Sequence, residues 1–132
     1  MSIRFPYASK QIEEDIIPEP IATLTVKTVL GIQNFDFLVD SGADTTTLPL
    51  LWAPLFRFNK KDSKKTWVGG VEGGKIAGYT SIIEIKFNKN FLKIRILFVD
   101  SNVTPLLGRL DVWKNFSVLF DNKRKETIFY KF

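Results

Sequence analysis

Short runs that alternate apolar and polar residues at a period of two constrain this chain more than anything else in it. Residues 22–29 (Ala-Thr-Leu-Thr-Val-Lys-Thr-Val), 81–87 (Ser-Ile-Ile-Glu-Ile-Lys-Phe) and 92–99 (Leu-Lys-Ile-Arg-Ile-Leu-Phe-Val) are rich in β-branched residues and place their apolar side chains on one face of an extended backbone. Phe35-Asp36-Phe37-Leu38-Val39 reads as another strand, entered through a turn in residues 31–34. Residues 67–68 and 76–79 flank a cluster of glycines as two hairpin arms, and Asn88-Lys89-Asn90 turns the chain between two of the longer strands. Residues 117–120 and 127–132 are apolar strands around a charged turn. Only residues 110–115 read as helix, and that helix is short. The pattern predicts an all-β fold, a closed or nearly closed barrel with one short C-terminal helix. Residues 1–20, with prolines at 6, 18 and 20 and the acidic run Glu13-Glu14-Asp15, read as an irregular leader before a single domain over residues 21–132.

Composition decides which chemistry such a fold can carry. The 132 residues contain no histidine and no cysteine. That removes Ser/His/Asp and Cys/His nucleophilic systems together with imidazole and thiolate zinc sites, and leaves carboxylates. No metal and no cofactor is expected. The net charge of +5 raises nucleic-acid binding as a possibility, through Lys60, Lys61, Lys64 and Lys65 and through Lys123, Arg124 and Lys125. Both clusters fall in turn-like polar segments where solvated lysines are ordinary, so no nucleic-acid partner is expected. The longest apolar runs are only a few residues, too short for a bilayer. The start Met1-Ser2-Ile3-Arg4-Phe5-Pro6 lacks the basic and apolar regions of a secretory signal, which makes a cytoplasmic location the expectation.

Three motifs bear on function. Phe37-Leu38-Val39-Asp40-Ser41-Gly42-Ala43-Asp44 is an apolar strand ending in a carboxylate, a hydroxyl and a glycine. Val68-Gly69-Gly70-Val71-Glu72-Gly73-Gly74 is a glycine-rich stretch between strands. Leu106-Leu107-Gly108-Arg109 precedes the short helical pattern. The glycine-rich stretch fails as a phosphate loop, because no helix pattern follows it and the Lys-Ser/Thr ending is missing. A fainter echo, Phe98-Val99-Asp100-Ser101-Asn102, repeats the apolar-apolar-Asp-Ser pattern. Asn102 stands where the first copy has Gly42, so Asp100 reads as a turn residue at a strand end.

In this order and spacing the three motifs resemble those of retroviral-type (retropepsin-like) aspartic proteases over roughly residues 20–120. The resemblance implies a catalytic Asp40 and a loop supported by Ser41, Gly42, Ala43, Asp44 and Arg109, with Asp44 and Arg109 as a bidentate ion pair. It implies a flap at Gly69, Gly70, Val71, Glu72, Gly73 and Gly74, and substrate pockets walled by Ala43, Leu106 and Leu107. Glu72 is an insertion relative to the retroviral flap, and the order Asp111, Phe116, Val118, Phe120-Asp121 is closer to microbial relatives of the viral enzymes. Peptide hydrolysis of this kind needs one carboxyl to act as base and another as acid, and the chain holds a single Asp-Ser-Gly. The resemblance therefore implies a homodimer that joins two copies of Asp40 into a dyad and cleaves extended polypeptides. A non-catalytic dimerisation or peptide-binding module is the competing expectation.

Overall fold

The computed structural model describes residues 1–69 and 74–132. Twelve strands are present among them: β1 (Ser2–Pro6), β2 (Ala8–Ile12), β3 (Asp15–Glu19), β4 (Ile21–Thr28), β5 (Gly31–Val39), β6 (Thr46–Pro49), β7 (Lys65–Gly69), β8 (Lys75–Phe87), β9 (Asn90–Val99), β10 (Leu106–Leu107), β11 (Phe116–Asp121) and β12 (Glu126–Lys131). Seven of them form one sheet in the order β4-β5-β10-β6-β9-β8-β7, and β4 pairs again with β8 through Thr25↔Lys86 and Val26↔Ile85. β1, β12 and β11 form a second sheet, and β2 with β3 a third.

The period-two reading of the long strands holds. Ala22, Leu24 and Val26 of β4, Ile83, Ile85 and Phe87 of β8, and Ile94, Ile96 and Phe98 of β9 are all buried in one cluster, while their sequence neighbours are less buried, apart from Val99. The second sheet closes over part of this core with Phe116 and Phe129, whose rings meet Phe87 at 4.9 and 5.9 Å between centroids.

Three local expectations are overturned. Residues 1–20 are not irregular. β1 pairs antiparallel with β12 from Ser2↔Tyr130 to Pro6↔Glu126, and its alternate residues Ile3 and Phe5 pack on the core. β2 and β3 form a hairpin from Ala8↔Glu19 to Ile12↔Asp15, turned at Glu13, whose φ is 55°. The prolines misled because Pro6 ends its strand and Pro18 lies on a two-stranded ribbon, where an unpaired backbone position is available. Second, residues 110–115 make turns rather than a helix. Single α-type hydrogen bonds run from Trp113 N to Arg109 O (3.0 Å) and from Phe116 N to Val112 O (3.0 Å), but Asp111 sits at φ 66° and interrupts the helical run. Helical structure lies instead in two 3-10 segments, Leu50–Phe56 and Lys60–Asp62. The first contains Pro54, buries Ala53 and lays Leu50, Trp52 and Phe56 on the core. Third, the turn expected in residues 31–34 occurs earlier. Thr28 pairs with Gly31, Leu30 N donates to Thr28 Oγ1 (3.1 Å), and Gly31 takes φ 100°, a conformation that favours glycine.

Candidate active site

β5 delivers Asp40 to the end of the large sheet. β4 borders β5 on one side through Ile21↔Leu38, and β10 borders it on the other through the parallel pairs Leu106↔Leu38 and Leu107↔Val39. Two further bonds fix the strand end, Val39 N to Pro20 O (2.9 Å) and Asp40 N to Leu107 O (3.1 Å). The aspartate is therefore held by its backbone from both flanking segments before its side chain does anything.

Immediately beyond, the chain turns back on the carboxylate. Ala43 N donates to Asp40 O (3.2 Å), and Gly42 N donates to Asp40 Oδ1 (2.9 Å). Gly42 is required for closeness rather than for an unusual backbone angle. A Cβ there would lie 3.3 Å from Asp40 Oδ1, so the carboxylate would have to give by a few tenths of an ångström. Asp40 is half-buried and Ser41 exposed, and among the described residues neither Asp40 Oδ2 nor the Ser41 hydroxyl has a hydrogen-bond partner.

The Leu106-Leu107-Gly108-Arg109 segment locks this loop from below. Arg109 N donates to Ala43 O (3.0 Å) and Leu110 N to Asp44 O (2.9 Å), so two successive amides tie the motifs together. At Gly108 the segments touch backbone to backbone: an added Cβ would stand 2.5 Å from the Thr45 carbonyl carbon and 2.8 Å from Thr46 N. Gly108 N donates to the buried Thr46 Oγ1 at 3.0 Å. The Asp44 carboxylate accepts a hydrogen bond from Arg109 Nη2, and the Arg109 guanidinium lies over the Trp113 ring at 5.8 Å. The ion pair expected from the sequence is thus formed, but through one nitrogen and one oxygen rather than bidentately. Asp44 remains 87 % exposed in the single chain.

A second carboxylate, unremarked as a site residue in the sequence, braces the same region. Asp111 is buried and accepts from Arg95 three times: from Nε at 2.9 Å, Nη2 at 2.8 Å and the backbone N at 2.9 Å. Lys114 Nζ lies 3.0 Å from its Oδ1. The hydrogen bonds from the Arg95 side chain hold the Asp111 carboxyl far below the usual carboxylate range, against the opposing effect of burial. Its left-handed backbone angle is what turns the side chain of a surface-looking Leu-Asp-Val run inward to β9. Thr46 was equally hidden in sequence, because Thr45, Thr46 and Thr47 look alike until strand alternation buries the middle one.

Of the expected pocket residues, Ala43 and Leu106 are half-buried beside the loop. Leu107 is not a pocket wall in this chain: β10 alternation turns it into the core, where it is 1 % exposed. The hairpin arms are present, with Trp67↔Ala77, Val68↔Ile76 and Gly69↔Lys75 paired between β7 and β8. Gly74 follows as the residue before β8, whereas Gly70, Val71, Glu72 and Gly73 lie outside the described residues. A cavity of about 410 Å³ opens beside Thr45, lined among others by Thr80, Leu97 and Leu110.

The model of the retroviral aspartyl protease family matches residues 18–119, a span containing both halves of the loop just described. The chain belongs to that family. Over 95 residues, 72 % of its length, it is 36 % identical to the Gag-Pol polyprotein of koala retrovirus, of which it spans only 5 %. Its fold is similar to that of a retropepsin-like aspartic protease from Rickettsia conorii, with a TM-score of 0.66 and 15 % identity over 98 % of this chain and 89 % of that one. It is also similar to the EIAV protease solved with the inhibitor HBY-793, with a TM-score of 0.55 and 23 % identity over 76 % of this chain and 88 % of that one. The greater coverage of the bacterial structure shows a shared fold across nearly the whole chain. Among the described residues, no helix of this family member is long and apolar enough to cross a membrane.

Proposed function

We propose that this chain is an aspartic endopeptidase whose active site forms when two copies bring Asp40 and its symmetry mate together across a two-fold axis. The observation that carries the reading is the built loop around a single acid. Gly42 N–H is aimed at Asp40 Oδ1, and the loop is clamped by Arg109 N, Leu110 N and the Gly108 contact. A descendant used only for binding has no need of so tightly positioned a carboxylate on an open face.

One such carboxylate cannot be base and acid together. Two within a few Å repel, so the pair keeps a single shared proton, a general property of aspartic-protease dyads. The ionised member takes a proton from water as that water attacks the peptide carbonyl. The protonated member donates to the carbonyl oxygen, and a proton then passes to the departing nitrogen as the C–N bond breaks. Gly42 N–H holds Oδ1 in place and leaves Oδ2 free to face the partner and the water. Ser41, exposed beside it, bonds across the axis and keeps the two loops in register. The substrate lies extended against the aspartates with Ala43 and Leu106 beside its side chains, and residues 69–74, carried on the β7 and β8 arms, close over it as a flap.

Asp40→Asn should abolish cleavage of a peptide library at pH 4 to 7 while leaving a folded dimer by sedimentation. Retained cleavage by that variant would refute the reading. Specific activity of the native sequence should also fall on dilution, because mass action depopulates the dimer. A non-catalytic module is what an absence of any new peptide termini from the native chain would indicate.

A further inference from the structure

The β2–β3 hairpin has no role in the site just described, and its physical state is unusual. From Ala8 to Pro18 every residue of the hairpin is exposed, including Ile12 (45 %), Ile16 (73 %) and Ile17 (42 %). A two-stranded ribbon standing alone in water is marginal at best, because it gains too little burial to offset the ordering of its backbone. Through the pairs Ile12↔Asp15 and Lys10↔Ile17, Ile12 and Ile17 share one face of the ribbon, whereas Ile16, paired with Gln11, points to the other. An exposed isoleucine pair on one short ribbon face calls for a surface to cover it.

Where the ribbon emerges indicates which surface. Its second strand runs through Pro20, whose carbonyl accepts the hydrogen bond from Val39 N at 2.9 Å, one residue before Asp40. β4 then pairs Ile21 with Leu38. Because β4 and β5 are antiparallel, the segment preceding Ile21 continues past the same sheet end that carries Asp40. A two-fold that brings Asp40 to its mate at that end also brings the base of each ribbon close to the other subunit. Charge selects the same partner: the ribbon holds Lys10 against Glu13, Glu14, Asp15 and Glu19, within a chain whose overall charge is +5. The turn after the loop clamp is complementary. It exposes Leu110 (36 %) and Trp113 (43 %) as an apolar surface, its cations Arg109 and Lys114 being paired within the subunit to Asp44 and Asp111, and it is bonded to the catalytic loop through Leu110 N and Asp44 O.

We propose that the β2–β3 hairpin is an intersubunit arm: its Ile12–Ile17 face and acidic tip lie on the partner copy's 109–114 turn, so each subunit braces the other's catalytic loop. This rests on the dimeric reading above and adds to it which segment holds the dimer together and where it docks. The arm couples association to catalysis, because the turn it covers carries the amides that clamp the loop around Asp40.

The test is the dimer dissociation constant, measured by sedimentation equilibrium, for the native sequence, for Ile16→Asp, for the Ile12→Asp/Ile17→Asp pair, and for a chain with residues 8–19 replaced by Gly-Gly. These side chains are exposed within one subunit, so the variants should keep its thermal unfolding. The dissociation constant should rise at least tenfold for the Ile12→Asp/Ile17→Asp pair and by a hundredfold or more for the replacement, and it should stay within about twofold for Ile16→Asp, on the opposite face. Cleavage lost at low concentration should return at high concentration. Because the chain has no cysteine, docking can be read separately by mixing a Glu14→Cys preparation with a Trp113→Cys preparation. An oxidative cross-link between the two kinds of subunit is the expected product. Unchanged dimer affinity in the Ile12→Asp/Ile17→Asp pair and in the replacement, or an equal loss from Ile16→Asp, with the native chain dimeric and cleaving, overturns the arm and leaves the protease reading standing. A native chain that is monomeric at every concentration overturns both.

Discussion

Two Asp-Ser stretches in this chain end two equivalent strands, and only one of them is built as a site. Asp40-Ser41-Gly42 follows β5, which is bordered in parallel by β10 at Leu107↔Val39. Asp100-Ser101-Asn102 follows β9, which is bordered in parallel by β6 at Pro49↔Val99. The topology is the same, but the residues that follow the bordering strands differ. After Leu107 comes Gly108, whose backbone presses on Thr45 and Thr46 and draws Arg109 into hydrogen bonds with the loop after Asp40. After Pro49 comes Leu50, which enters a 3-10 helix and leads the chain away. Asp100 is exposed, its backbone N donates to Ala77 O (2.9 Å), and Ser101 N turns back to Val99 O (2.8 Å). Among the described residues its carboxylate accepts no hydrogen bond, whereas that of Asp40 takes Gly42 N–H. A strand end supplies the place for an acid; the glycine beyond it and the clamp beneath it make the acid usable.

The largest expected contrast is between the two acids themselves. Asp40→Asn should lower peptide cleavage by at least about a thousandfold, whereas Asp100→Asn should leave kcat/KM within about twofold of the native value. Comparable losses from both would erase the distinction. Next comes the clamp. Gly108→Ala forces a Cβ into backbone atoms that cannot move aside, and it should cost roughly 3 kcal/mol of stability by chemical denaturation. Leu50→Ala, at the corresponding position on the other half, tests the opposite physics. It should lose only the packing of a partly buried side chain, about 1–2 kcal/mol.

Converting one loop into the other gives a smaller effect. Gly42→Asn places a Cβ 3.3 Å from Asp40 Oδ1 and should reduce kcat by roughly ten- to a hundredfold through misplacement of the carboxylate, with KM little changed. The reverse change, Asn102→Gly, should confer nothing on Asp100, because no clamp lies beneath it. The smallest effect concerns the brace. The Asp111 carboxyl is held low by Arg95, so its stabilising contribution is complete above the ordinary carboxylate range near pH 4 and fades as pH falls below it. Asp111→Asn should destabilise by roughly 1–2 kcal/mol at pH 6, discounted because Arg95 is largely in water. The difference from the native chain should shrink as the pH is lowered to 3; a constant difference would assign the loss to packing alone.

How much of this was legible in the sequence follows from the range of the forces involved. Period-two patterning is local, so β4, β8 and β9 and their core residues could be read directly. The loop around Asp40 was legible because Asp40, Ser41 and Gly42 are adjacent and the Leu-Leu-Gly-Arg run is distinctive. Asp111 was not, since its inward turn depends on Arg95, sixteen residues away in sequence and brought alongside only by β9. Leu107 looked like a pocket wall until its parallel pairing with Val39 fixed which face it shows. The first twenty residues looked irregular because β1 is a strand only by virtue of β12, more than a hundred residues later. Residues 110–115 kept helical spacing, but one left-handed aspartate overrode it.

The most direct test of an active site shared between two copies of Asp40 is a mixing titration. A fixed amount of native subunits is equilibrated with increasing Asp40→Asn subunits, and peptide cleavage is measured after exchange is complete. With a ninefold excess of the variant, random pairing leaves about a tenth of the native subunits with a native mate, so cleavage should fall to about a tenth of its starting value. Cleavage that stays constant throughout the titration would contradict the shared site.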